Sequence, residues 1–263
     1  MTKSVLVSIM LALLPASLFA VDGVVLINQA ALNAAGGTYT ITSPGSYKLS
    51  GNLVAKDQNT NVIVIATDHV TIDLNGFAIL GTANCSGGFP CVNHGSGNGI
   101  STHPVLGPFF NITVRNGTIQ GMGSNGILLN GDSILVEYTH VRSNGDGGMV
   151  IFEGSLQSSV IVQHNNVHQN GGRGVSVGGG QITDNVVSEN GGSGIQIFND
   201  PFLPTGIAAR NVVTVNRGYG LNLFGSVNYI GNSMSGNTFG PVSGGFNLGQ
   251  NLCGGAACPS AMF

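Results

Sequence analysis

The chain contains no tryptophan, and only 7% of its 263 residues are charged. Eight basic residues against eleven acidic ones give a net charge of −3, with no basic patch and no interleaving of basic and aromatic residues. Nucleic acid is therefore not an expected partner, because phosphate binding needs clustered lysine and arginine. Cysteine is scarce too: four residues fall in two local pairs, Cys85 with Cys91 and Cys253 with Cys258. Three connectivities exist, and loop proximity favours the local one. Neither pair matches a zinc spacing, so two disulfide staples are expected and no metal site. Long apolar runs are missing beyond the first 20 residues. Those 20 read as an export signal: Lys3, an apolar run over residues 5–14, Pro15 and a small residue at Ala20, although Leu18 is not ideal three positions before the cut. The run is shorter than the ~20 residues a membrane span needs. Residues 21–263 then form one secreted or periplasmic domain with no membrane span.

What the chain does have is glycine, 43 residues of it, and a short pattern written repeatedly. The clearest copy is Val162-Gln163-His164-Asn165-Asn166-Val167-His168-Gln169-Asn170-Gly171. Copies aligned on Val141, Val167, Val187, Val213 and Met234 lie 26, 20, 26 and 21 residues apart, a period typical of solenoids. Two asparagine columns result. The first holds Asn165, Asn185, Asn211 and Asn232 after Thr139; the second holds Asn144, Asn170, Asn190, Asn216 and Asn237. Asparagine tolerates the left-handed conformation of a bend, and its amide can bond the same amide one coil away, about 4.8 Å along the axis. A glycine followed by an apolar residue opens each coil, as at Gly99-Ile100, Gly126-Ile127, Gly148-Met149 and Gly174-Val175.

Ahead of these coils, residues 26–35, closed by Gly36-Gly37, read as a short helix that caps the N-terminal end. Residues 61–80 alternate with period two around an Asp68-His69 turn and an Asn75-Gly76 bend. Residues 82–98 break the period and form a loop that holds the first disulfide. Residues 246–263, with the second, close the C-terminal end. Two further excursions, residues 153–159 and 199–206, leave the rod. Seven or eight coils are expected, a rod of roughly 35–40 Å.

On these repeats, extended by Val70-Thr71-Ile72-Asp73-Leu74-Asn75-Gly76, the chain resembles the right-handed parallel β-helix proteins, the superfamily of pectate lyases and polygalacturonases. The resemblance covers nearly the whole chain after residue 20. It implies an all-β fold, a single-stranded right-handed parallel β-helix with a short N-terminal capping helix. It describes core and corners, so it implies no particular activity. The adjacent Asp-Asp pair, Gly-His-Gly and Arg-x-Lys of the polygalacturonases are absent. Asp68-His69 looks like the Asp-His of pectate lyases but sits at a turn, and the lyase Arg-x-Pro-x-x-Arg is missing.

In a solenoid a site is a column, because equivalent residues of successive coils become neighbours. One outward column holds Asp73, Arg115, Glu137, Gln163 and Thr183. Its carboxylates and guanidinium have the chemistry to hold a sugar, or a calcium ion that neutralises a uronate while Arg115 assists proton abstraction. As a charge ladder the same residues would do no chemistry, each exposed pair contributing ~0–1 kcal/mol. The next column holds Asn116, Tyr138, His164, Asp184 and Arg210, with His164 beside Asp184 as an oriented base and Tyr138, Gln163 and Arg210 as substrate contacts. Alternation points this column partly inward, where such groups satisfy one another at a corner. A weaker outward set is Arg142, His168 and Glu189. Phe152, Phe198 and Phe224 occupy equivalent positions with Gly178 between, a row of stacking platforms unless the two excursions cover it, which is the expectation.

Two functions of different kind follow. In one the protein is a carbohydrate-binding or structural, adhesive module of the envelope or extracellular space, with no cofactor. In the other it is a divergent polysaccharide lyase, epimerase or hydrolase working on an extended glycan through Asp73, Arg115 and Glu137 or through His164 and Asp184, with calcium if it is a lyase.

Overall fold

A computed structural model describes residues 23–85, 91–92, 94–153, 159–198 and 206–258. The export signal expected over residues 1–20 lies outside them, as do the tips of both excursions and residues 259–263. The strands form a parallel β-helix with three faces. The first face includes Tyr39–Ile41, Ile63–Ile65, Ile100–Thr102, Met149–Glu153, Val175–Val177 and Ile195–Phe198; the third includes Leu53–Val54, Ala78–Leu80, Asn166–His168 and Val186–Ser188. Two strands run unbroken around corners: Phe109–Gln120 serves the second and third faces, and Ile127–Arg142 serves all three. The second face has ten levels, from Val24–Ile27 and Gly45–Leu49 to Val227–Ile230 and Phe246–Asn247. At the usual strand spacing ten levels span about 43 Å. The seven or eight coils read from the sequence were too few, because the first coils lack the repeated glycine and asparagine by which the others can be counted.

The core is one column of apolar side chains. Ile127, Leu129, Ile134, Val136, Val175, Val177, Ile195, Ile197, Leu221 and Leu223 all turn inward and are at most 4% exposed. Fully burying one such side chain contributes about 1.5–3 kcal/mol, so coil upon coil the core is sufficient to hold the rod. Glycine at the coil openings is required by packing: a Cβ on Gly126 would strike Val141 Cγ1 and lie 2.8 Å from Asn144 Nδ2.

Both asparagine columns are continuous ladders. Asn144, Asn170, Asn190 and Asn216 each donate from Nδ2 to the Oδ1 of the next asparagine at 2.8–2.9 Å, ending on Asn237. The other runs from Thr139 through Asn165, Asn185, Asn211 and Asn232 to Asn251, at 2.8–3.0 Å. Each accepting Oδ1 also takes the backbone N–H of the preceding coil's residue, as Asn190 does from Asn170 N at 3.1 Å. A third ladder, Asn61, Asn98 and Asn125, closes the corner before the first face at 3.0 and 3.1 Å. It escaped the sequence reading, although asparagine precedes the noted glycines at Asn98-Gly99 and Asn125-Gly126.

The N-terminal cap is shorter than residues 26–35. The helix is Gln29–Ala34, and Val24–Ile27 is a strand paired with Gly45–Leu49. Asn28 makes the difference: it is extended, and its Oδ1 accepts from Ala31 N at 2.9 Å, so the helix begins after it. Leu32 is fully buried under the helix, and the Gln29 side-chain amide pairs with the Val54 backbone as a further strand would: Val54 N donates to Gln29 Oε1 at 2.7 Å and Gln29 Nε2 donates to Val54 O at 3.3 Å. At the other end Ala256–Ala257 folds back antiparallel on Leu252–Cys253. Both local disulfides are formed, Cys85–Cys91 and Cys253–Cys258.

Candidate functional site

The first outward column stands where its spacing put it. Lys48, Asp73, Arg115, Glu137, Gln163 and Thr183 are in register on the second face, Lys48 being a member the sequence reading missed. Its members are engaged with one another. Arg115 Nε lies 3.3 Å from Asp73 Oδ2, Asn116 Nδ2 lies 3.3 Å from both Asp73 oxygens, and Gln163 donates to Glu137 Oε2 at 2.9 Å. The Arg115 coil separates Asp73 from Glu137 by two strand spacings, about 9–10 Å. A calcium ion held by both at ~2.3–2.6 Å would have to stand over the Arg115 coil, beside a guanidinium of its own sign. Among the described residues no group of three or more His, Cys, Asp or Glu side chains is placed to hold a metal.

The second column does not point inward. Asn116, Tyr138, His164, Asp184 and Arg210 all have φ between 51° and 61°. A left-handed residue interrupts strand alternation, so these side chains project from the ridge between the second and third faces. Tyr138 is 53% exposed and stacks on His164 with centroids 5.1 Å apart. Arg210 forks onto Asp184 with bonds of 2.8 and 2.7 Å. That hydrogen-bonded guanidinium holds the Asp184 carboxyl below its ordinary range, with Coulombic help from Arg210 and His164. Asp184 is thus a committed anion: it cannot serve as an acid near neutral pH, and its oxygens are occupied by arginine rather than free to orient His164. In the weaker set, Arg142 and His168 are register neighbours, while Glu189 turns at a corner and receives Gln169 Nε2 at 3.0 Å. Burial, then Arg142, holds the His168 imidazole below its usual range.

The first face differs. Phe152, Phe198 and Phe224 are 57%, 42% and 45% exposed; the two excursions expected to cover them fall almost wholly outside the described residues. Phe198 and Phe224 stack with centroids 5.1 Å apart. Phe152 is separated from Phe198 by the coil of Gly178, which has no side chain to fill the row. The Arg173 guanidinium reaches over the Phe198 ring at 5.8 Å, and a Cβ on Gly192 would lie 3.2 Å from Arg173 Cγ, so glycine clears its path. Beside this row lies a groove of about 590 Å³ lined by Asn125, Leu128, Asp146, Gly147, Val150, Phe152, Gly172, Arg173 and Gly192. Its floor is apolar, one wall is aromatic, and one carboxylate and one guanidinium face it, the composition of a small-ligand site. Asp146 and Arg173 went unnoticed in the sequence because neither belongs to a repeating charged column.

A family model described as the right-handed beta helix region matches residues 40–202. Among solved structures, a variant of the periplasmic alginate epimerase AlgG matches with a TM-score of 0.47 at 16% identity, over 81% of this chain. The chain spans 66% of the length of that enzyme. The A-module of the Azotobacter vinelandii mannuronan C-5 epimerase AlgE4 matches with a TM-score of 0.42 at 12% identity, over 80% of this chain and 73% of that one. No curated protein sequence matches. With more than half of its residues inside the family match and its parallel coils wound on one apolar core, the chain belongs to the right-handed β-helix family.

Proposed function

We propose that the protein is an exported module that holds an extended polysaccharide on its first face without cleaving it. The observation that carries this is the exposed row of Phe152, Phe198 and Phe224 beside the groove of Asp146 and Arg173. Three large aromatic side chains in register along one face stand outside the apolar core. Sugars are bound by such surfaces, apolar where rings lie and hydrogen-bonding at the margins. In the polar columns of the second face and its ridge, each acid has a partner, Asp73 with Arg115, Glu137 with Gln163 and Asp184 with Arg210, which is a structural use of acids and bases rather than a catalytic one. Two disulfides suit an oxidising compartment, and no helix among the described residues is long and apolar enough to cross a membrane.

The test is chromatography of labelled polyuronates and neutral glycans after incubation with the protein, with and without calcium. At least one glycan should co-elute with the protein, unshortened and with its sugar composition unchanged, and replacing Phe152 and Phe224 with alanine should release it. Shortened or epimerised chains would overturn this reading in favour of an enzyme.

A further inference from the structure

The outward column of the first face reads Ser101, Leu128, Val150, Ser176, Gln196 and Asn222, each in register with the next. Outward positions are ordinarily wet, yet Ser101, Ser176 and Gln196 are only 3%, 4% and 3% exposed. Ser101 Oγ and Gln196 Oε1 are buried with no hydrogen-bond partner among the described residues. Native proteins seldom leave such groups unmatched. Between them lie Leu128 and Val150, the floor of the groove.

Each part of the groove restricts what fits it. An apolar floor adds nothing for a plain hexose edge covered in hydroxyls, but it accepts a methyl group. The Arg173 guanidinium, steadied on Phe198, offers N–H donors in a fixed plane to a carbonyl oxygen. Asp146 accepts from hydroxyl or amide N–H groups, and Gly172 has no Cβ to crowd its Oδ1. With one charge of each sign facing the groove, a polyanion would set its carboxylates against Asp146 and a polyamine its ammonium groups against Arg173. The occupant is then neutral and carries a methyl, a carbonyl and an N–H together. We infer that the groove binds an N-acetylated hexosamine unit of a neutral glycan, its acetyl methyl on Leu128 and Val150, its carbonyl on Arg173 and its N–H or hydroxyls on Asp146. This inference rests on the glycan-binding reading above and narrows it to one class of sugar.

Calorimetric titration of the full chain with four oligosaccharides of equal length tests it: an N-acetylglucosamine oligomer, its de-N-acetylated form, a glucose oligomer and a uronate oligomer. The first should bind at least tenfold tighter than the other three. Arg173→Ala and Val150→Asp should each weaken it tenfold or more, and Thr183→Ala on the second face should leave it unchanged. Equal or tighter binding of the glucose, uronate or de-N-acetylated oligomer overturns the acetamido assignment and leaves the glycan reading standing. Binding of none of the four overturns the assignment as well, and failure of every glycan in the chromatographic test removes the broader reading with it. If Arg173→Ala retains full affinity the groove is not the site, and if that variant does not fold, the order of the four ligands on the unaltered chain still decides.

Discussion

The coils over residues 24–85 and those over residues 139–251 share one core, yet their corners are closed by different means. In the early coils, apart from the ladder that starts at Asn61, each corner is solved separately. Asp57 Oδ1 takes Asn59 N and Thr60 Oγ1, Asn75 Nδ2 reaches Leu49 O, Asn52 Oδ1 takes Ala78 N, and Thr38 Oγ1 reaches Asn61 O. In the later coils one amide repeated at two places does the work. The early coils carry large side chains inside, such as Leu49, Leu53 and Leu74, whereas valine dominates from Val136 to Val213. Where the core is bulky the corners are free to vary; where the core is slimmer the corners carry a greater share of the stability.

The largest effect that would break this contrast is expected at Asn190. Asn190→Ala removes the acceptor of Asn170 N and Nδ2 and the donor to Val167 O and Asn216 Oδ1. Buried partners left unpaired cost ~1–3 kcal/mol each, so a loss of about 4 kcal/mol is expected in urea unfolding. A loss below about 1 kcal/mol would show the ladder to be decorative. Next, Leu74→Ala in the early coils should cost about 3 kcal/mol through its cavity, with amide exchange rising in residues 45–80 before it rises beyond residue 139. Asn52→Ala, which removes one exposed bond to Ala78 N, should cost only about 0.5–1 kcal/mol in the same assay.

The smallest effect is one of pH. Because burial keeps the His168 imidazole below its usual range, the fold binds fewer protons than the unfolded chain. Its contribution is complete above the unfolded value of about 6.5 and is lost as pH falls through the lowered native value. Arg142 and His140 deepen that depression and Glu189 opposes it. His168→Gln should flatten the unfolding midpoint between pH 7 and 5; an unaltered slope would place the titrating group elsewhere.

The same contrast explains what could be read from the sequence. The later coils were legible because one amide repeated at Asn144, Asn170, Asn190, Asn216 and Asn237 is a periodic signal. Leu26 and Ile27, the end of the Val24–Ile27 strand, read as helix because the partner strand carries no matching motif, and only the cap at Asn28 separates the two. The outward column from Asp73 to Thr183 was found because register follows from spacing. The ridge was assigned the wrong direction because alternation assumes negative φ throughout, while Tyr138, His164 and Arg210 sit at φ 51°, 55° and 55°. The groove was illegible because Asp146 and Phe152 of one coil and Arg173 of the next hold different positions in the repeat, and Gly172 and Gly192 leave room for the Asp146 and Arg173 side chains.

The three ladders do not point the same way. Asn98 and Asn125 donate through both backbone N and Nδ2 to an asparagine oxygen on the coil before them, whereas Asn170 and Asn190 donate to one on the coil after them. A rod growing from its N-terminal end therefore has a growing tip that changes character along its length. Early on, the newest coil shows an oxygen waiting for a donor. Later it shows paired N–H groups waiting for an oxygen. An out-of-step segment would offer the wrong group at that position, so each asparagine column favours one register for the coil laid against it.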